Sequence, residues 1–128
     1  MADSTVPGFF DAFPMRLAAS ATLDAILAED DTVLSILFLW GRDCVNCDVA
    51  KREMLCAPDS FEWPGVRWLH ANVYDDPALG TRFGLHGVPT FVVFRGVRRI
   101  GRISPWPGRA AFCAAIAQQL DLPQAPAG

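Results

Sequence analysis

The sequence contains no stretch approaching the 18 or so apolar residues needed to cross a bilayer, which excludes a membrane-spanning helix. It has four cysteines, and their uneven spacing is wrong for a small secreted disulfide scaffold. A second CxxC and a histidine pair are both missing, so no four-ligand metal set can be read. Cys56 lies too far past Cys44 to share an ion with it, about 18 Å if the intervening chain is helical. Basic residues are absent from the first fifteen positions, MADSTVPGFFDAFPM, so no secretory signal is read and a cytoplasmic location is expected. Excess positive charge is also lacking. The net charge of −3 excludes the electrostatic footprint of a nucleic-acid binder.

What is present describes an ordinary globular chain: 128 residues, 52% of them hydrophobic and 20% charged. That length suggests one domain able to bury about two thirds of its unfolded surface without a metal or disulfide. Pro7, Gly8 and Pro14 interrupt any period in residues 1–19, which predicts an irregular arm with at most a short helical turn. The domain itself is expected over 20–121, and DLPQAPAG predicts a disordered tail from about residue 122. Ser20 or Thr22 caps an expected helix ending near Glu29. The apolar run 31–41 reads as a central strand covered on both faces, and 44–55 as a helix. Further strands are expected over 66–73, 87–96 and 98–104, the last two as a hairpin. A short helix with Asp76 as N-cap and Pro77 at its first position precedes the hairpin, and residues 105–120 end in a helix with Phe112, Ile116 and Leu120 at four-residue spacing. Helices between strands imply parallel pairing, with the hairpin as an antiparallel edge. The fold class is α/β: one mixed sheet of four to five strands flanked by helices on both faces.

The chemistry concentrates in GRDCVNCDVAK, residues 41–51, where Cys44 and Cys47 stand at the turn from strand to helix. The unpaired N–H groups and positive dipole end of a helix favour a thiolate, the nucleophilic form of cysteine. In a redox reading, Cys44 attacks a disulfide and Cys47, almost one turn on, resolves the mixed intermediate. Metal binding and two inert small residues are the alternatives. Cys56 and Cys113 read as core or boundary residues. Arg95, Arg98, Arg99 and Arg102 read as a solvated hairpin, the rival being a dock for an acidic partner.

Together with the strand–helix order, the CxxC after LFLWGRD and the Val88–Pro89–Thr90 triplet resemble the thioredoxin family over about residues 22–120. The resemblance implies a cis Pro89 packed beside the CxxC, with the Val88 backbone pairing with bound substrate. It also implies thiol-disulfide exchange with protein substrates, an upstream reductase or thiol donor, no cofactor, and a monomer. Trp40 occupies a place where the family often has an aromatic supporting the active-site turn or touching partners. Val45 offers an apolar surface beside the attacking sulfur. The Cys-Val-x-Cys pattern is also similar to the C-terminal thioredoxin-like domain of the bacterial transmembrane thiol-disulfide reductase, which implies an electron donor to other redox proteins.

The sequence departs from the family at five positions. Asp43 stands where a Trp usually precedes the first cysteine, and Asp48 where a Lys is common. Both carboxylates oppose a thiolate, with Arg42, Lys51 and Arg52 as offsetting charges, so Cys44 is expected to be less acidic than a helix N-terminus alone would make it. Phe38 takes the place of a buried Asp and His70 that of a Lys. His70 is therefore a candidate proton acceptor for Cys47, against the plainer reading of a strand histidine. Arg52 replaces a helix-kinking proline. Two rival functions remain: a thioredoxin-fold binding or assembly module with little redox turnover, and glutathione-linked chemistry.

Overall fold

A computed structural model describes residue 6 and residues 8–120; the expected tail lies outside the described residues. The elements in chain order are α1 (Phe9–Ala12), β1 (Arg16–Leu17), α2 (Leu23–Leu27), β2 (Leu34–Trp40), α3 (Val45–Cys56), β3 (Val66–Asn72), α4 (Pro77–Arg82), β4 (Thr90–Arg95), β5 (Arg98–Ile103) and α5 (Arg109–Gln119). A 3₁₀ turn over Pro58–Phe61 links α3 to β3. The five strands form one sheet in the order β1-β3-β2-β4-β5.

Strand β2 is the centre. All seven of its residues are buried, as the unbroken apolar run requires. Leu34, Ile36, Phe38 and Trp40 enter one core cluster with α1, α3 and α5. Leu37 and Leu39 enter the other with α2 and α4. Each large apolar side chain buried this way contributes roughly 1.5–3 kcal/mol. Helices therefore cover both faces. Phe38 and Phe91 face each other across β2 and β4 and stack at 4.8 Å.

Strands β1, β3 and β2 run parallel, but β4 runs antiparallel to β2, contrary to the expectation of parallel pairing. Length explains it. The six residues of α4 rise only about 9 Å. The seven residues of β3 climb about 23 Å. So short a helix does not itself span the sheet, and the turns on either side of it keep the connection at the end where β3 finishes. The chain re-enters at the end where β2 and β3 finish, so β4 must descend. This brings Val88 and Pro89 to the same end of the sheet as Cys44.

The segment expected as an irregular arm belongs to the fold. Phe9 and Phe13 are 1% and 3% exposed, and Arg16 and Leu17 pair with Leu69 and His70. Two capping expectations also change. Asp76 does not cap α4; its carboxylate accepts the Ser20 N–H at 2.7 Å and ties α4 to the turn before α2. The Thr22 hydroxyl oxygen accepts the Ala19 N–H at 3.0 Å rather than an N–H of α2.

Candidate active site

Three local features hold Cys44 at the mouth of α3. Asp43 adopts a left-handed φ of 56°, a region that Asp enters more readily than most side chains. Cys44 is then extended (φ −106°, ψ 104°) and serves as N-cap. Its sulfur accepts the Cys47 N–H at 3.1 Å, taking one of the orphan donors of the first turn. Cys44 is half-buried and Cys47 fully buried, and the two are joined as a disulfide with Cα atoms 5.2 Å apart. Only Cys44 is open to attack from outside. The helix runs without a break through Arg52.

The second wall is the loop before β4. The Val88–Pro89 peptide is cis, and the Val88 carbonyl oxygen lies 3.4 Å from the Cys44 sulfur. Pro89 is buried and Val88 half-buried. Side chains lock this loop from behind. The Thr90 hydroxyl donates to the Gly87 carbonyl at 2.9 Å and lies 3.1 Å from the Ser104 hydroxyl. Ser104 in turn donates to the Pro89 carbonyl at 3.2 Å. Sequence reasoning names Thr90 as the end of the family triplet without a role and misses Ser104, which nothing local marks, fourteen residues on.

Outside the sulfurs the rim carries exposed apolar side chains among polar ones. Val45 is 79% exposed and Tyr74 54% exposed. A groove of about 460 Å³ runs from Val88 past His86 and Leu85 to Tyr74 and Pro77. The Arg42 guanidinium sits 5.4 Å from the centre of the Tyr74 ring. The ring lies so close to Gly41 that a Cβ there would come within 2.6 Å of it. Tyr74 was not singled out from the sequence, and Arg42 was read there only as a charge offsetting Asp43 and Asp48; the packing that brings the two together is visible only in three dimensions.

Beneath the turn is an aromatic layer. Trp40, read from sequence as a support or a partner contact, is 7% exposed and packs in the core cluster that includes Cys47. Its indole N–H donates to His70 Nδ1 at 3.3 Å. Phe10 stacks on His70 at 3.8 Å. Burial, with the Lys51 charge as a smaller cause, lowers the His70 pKa to about 4, so the ring is neutral near pH 7. A neutral imidazole has one ring lone pair, and here it points at the Trp40 N–H. Lys51 is itself buried, with its Nζ 3.8 Å from the centre of the Trp40 ring.

The remaining cysteines lie apart from this pair: Cys56 is exposed, and Cys113 approaches the Ser60 carbonyl oxygen at 3.4 Å. Among the described residues, no group of three or more His, Cys, Asp or Glu side chains is placed to hold a metal ion. No helix among them is long and apolar enough to cross a membrane. In the arginine hairpin, Arg95 and Arg102 donate to the carbonyls of Gln119 and Phe83, leaving Arg98 and Arg99 as its fully outward pair.

No protein-family model matches the chain, and no curated protein matches its sequence. Solved structures do match its fold. A thioredoxin mutant from Halobacterium salinarum superposes with a TM-score of 0.70 at 18% identity, over 88% of this chain and 96% of that one. Thioredoxin from Trypanosoma brucei brucei gives 0.72 at 14% identity, over 86% and 94%. Thioredoxin f2 from Chlamydomonas reinhardtii gives 0.71 at 18% identity, over 86% and 99%. The chain thus has the thioredoxin fold, and it carries a CxxC pair at disulfide distance.

Proposed function

We propose that the protein is a thiol-disulfide oxidoreductase acting on protein disulfides. The observation that carries this reading is the placement of a bonded cysteine pair at the N-terminus of α3, one sulfur open and the other buried, against the Val88 carbonyl. In the reduced protein the Cys44 thiolate attacks a partner's disulfide. One partner sulfur leaves as a thiolate, and a mixed disulfide forms. Cys47 loses its proton and attacks the Cys44 sulfur, expelling the second partner thiolate. Two electrons pass to the partner, and the Cys44–Cys47 disulfide is regenerated. A dithiol reductant of the cell must then reduce it for another turn.

The Val88 backbone and Pro89 bind the extended substrate strand beside Cys44, with Val45 and the groove toward Tyr74 meeting its side chains. His70 orients Trp40 under the turn in this reading, since its lone pair is already engaged and its ring resists protonation. The test is insulin reduction with dithiothreitol as donor. Wild-type protein should accelerate precipitation, Cys44→Ser should abolish the acceleration, and Cys47→Ser should trap a mixed disulfide. No acceleration by wild-type protein would favour a binding module in which the dithiol is incidental.

A further inference from the structure

Lys51 is the only lysine in the chain; the other ten cationic side chains are arginines. Every arginine is exposed or partly exposed, whereas Lys51 is 0% exposed. An ammonium removed from water is expensive, and a Met or Leu would fill the space more cheaply. Lys51 stands one turn beyond Cys47, at the i,i+4 spacing that puts two side chains on the same helix face. Cys47 and Ala50 of that face, Trp40, Phe9 and the half-buried Cys44 all belong to one cluster. The Lys51 Nζ lies 3.8 Å from the Trp40 ring centre, 5.5 Å from that of Phe10 and 6.0 Å from that of Phe9. Aromatic faces attract a cation while keeping water away from it.

We infer that Lys51 is a positioning residue for the dithiol: its buried charge, walled in by Trp40 and by Phe9 and Phe10 of α1, stabilises the thiolate at the mouth of α3 against Asp43 and Asp48. This rests on the dithiol reading above. The enclosure sets the size of the effect. Asp43 is exposed, so water screens its charge, while Lys51 acts through a low-dielectric interior. Asp48 is buried beside Cys47 and opposes Lys51 with the other sign. Among the described residues, the other titratable groups on the enclosing elements are neutral His70, Arg67, which donates to the Ser35 hydroxyl, exposed Asp11, Arg52 and Cys56, and Glu53, whose carboxylate accepts from the Trp106 indole and the Arg109 N–H. A cation that favours the thiolate also favours the reduced protein, and so raises the reduction potential of the pair.

The experiment follows thiolate absorbance at 240 nm against pH, and the reduction potential at pH 7, in the full chain. Lys51→Met keeps the side chain's length and loses its charge. It should cut the thiolate fraction at pH 7 several-fold, toward tenfold, and lower the potential by up to about 30 mV, the tenfold equivalent for a two-electron couple. Lys51→Arg should restore most of both. Asp48→Asn should move both the opposite way. Phe10→Ala keeps the charge but admits water, and should shift the thiolate in the same direction as Lys51→Met by a smaller amount. Circular dichroism checks that each variant folds; should Lys51→Met not fold, the Phe10→Ala and Asp48→Asn pair still decides. A titration and potential unchanged in Lys51→Met, or in that pair, would overturn the inference. Insulin reduction runs in parallel: a wild type without activity fails the dithiol reading, whereas an active wild type with unmoved titrations fails only the role of Lys51.

Discussion

At the scale of single residues, His70 shows how a buried position changes the chemistry that a residue type suggests. Histidine in a redox site invites a proton-transfer role because its ordinary pKa lies near working pH. Burial, with Phe10 stacked on the ring, and to a lesser degree the Lys51 charge remove that advantage and pull the pKa to about 4. The consequence for stability has a definite sign. Between pH 6.5 and about 4 the unfolded chain binds a proton at His70 that the folded protein refuses, so stability is present above that window and lost as pH falls through it. Urea midpoints should therefore decline from pH 7 to pH 4, and His70→Gln should flatten that decline. Equal slopes in the two proteins would refute the assignment. The same substitution should leave the pH dependence of insulin reduction near neutrality unchanged, because a ring already neutral there has no proton to exchange. The bonded cysteine pair at the start of α3 was legible from sequence because its signal is local: two cysteines, a preceding apolar run and a following helix. The layer beneath was not. Nothing along the chain announces that Lys51, Phe10 and His70 meet, since that contact joins three elements far apart in sequence.

At the scale of elements, strands and helices with strong apolar periods could be placed closely, and their connections could not. The run that became β2 and the helix that became α3 differ from expectation by a few residues at their ends. The direction of β4 was missed because pairing direction depends on how far a connecting segment reaches, and α4 with its flanking turns stays at one end of the sheet. The hairpin from β4 to β5 was readable, and its turn shows why Gly96 is required. Gly96 has a φ of 58°, and an added Cβ would sit 2.9 Å from the Asp31 backbone. The left-handed backbone costs a non-glycine about 1–2 kcal/mol, and overpacking against rigid main chain adds about 1–3 kcal/mol. Gly96→Ala should thus destabilise the protein by about 2–5 kcal/mol in equilibrium denaturation. Gly101→Ala, on the neighbouring strand β5 with nothing within 4 Å of its Cβ, should change stability by less than about 1 kcal/mol. Equal costs for the two would show that the Asp31 contact has no energetic weight.

At the scale of the whole molecule, the site depends on a core built from both ends of the described chain. Phe9 and Phe13 come from the beginning and Phe112 from α5, and all three pack with Phe38, Trp68 and Phe91 on one side of the sheet. The breaks at Pro7, Gly8 and Pro14 made the beginning look like an arm, because prolines and glycines hide an apolar pattern whose partners lie on distant strands. The two possibilities differ in energy. An appended arm would lose almost nothing when Phe9 is truncated. A core residue that is 1% exposed, stacked with Phe13 at 5.9 Å and edge-on to Phe38 at 6.5 Å, should lose about 3–5 kcal/mol on Phe9→Ala. Phe10→Ala, cutting a half-buried ring that lies over Lys51 and His70, should cost less stability than Phe9→Ala. Guanidinium denaturation of both variants, read by circular dichroism, separates the two views. A cost below about 1 kcal/mol for Phe9→Ala would make α1 an accessory, and would leave Lys51 without one of its walls.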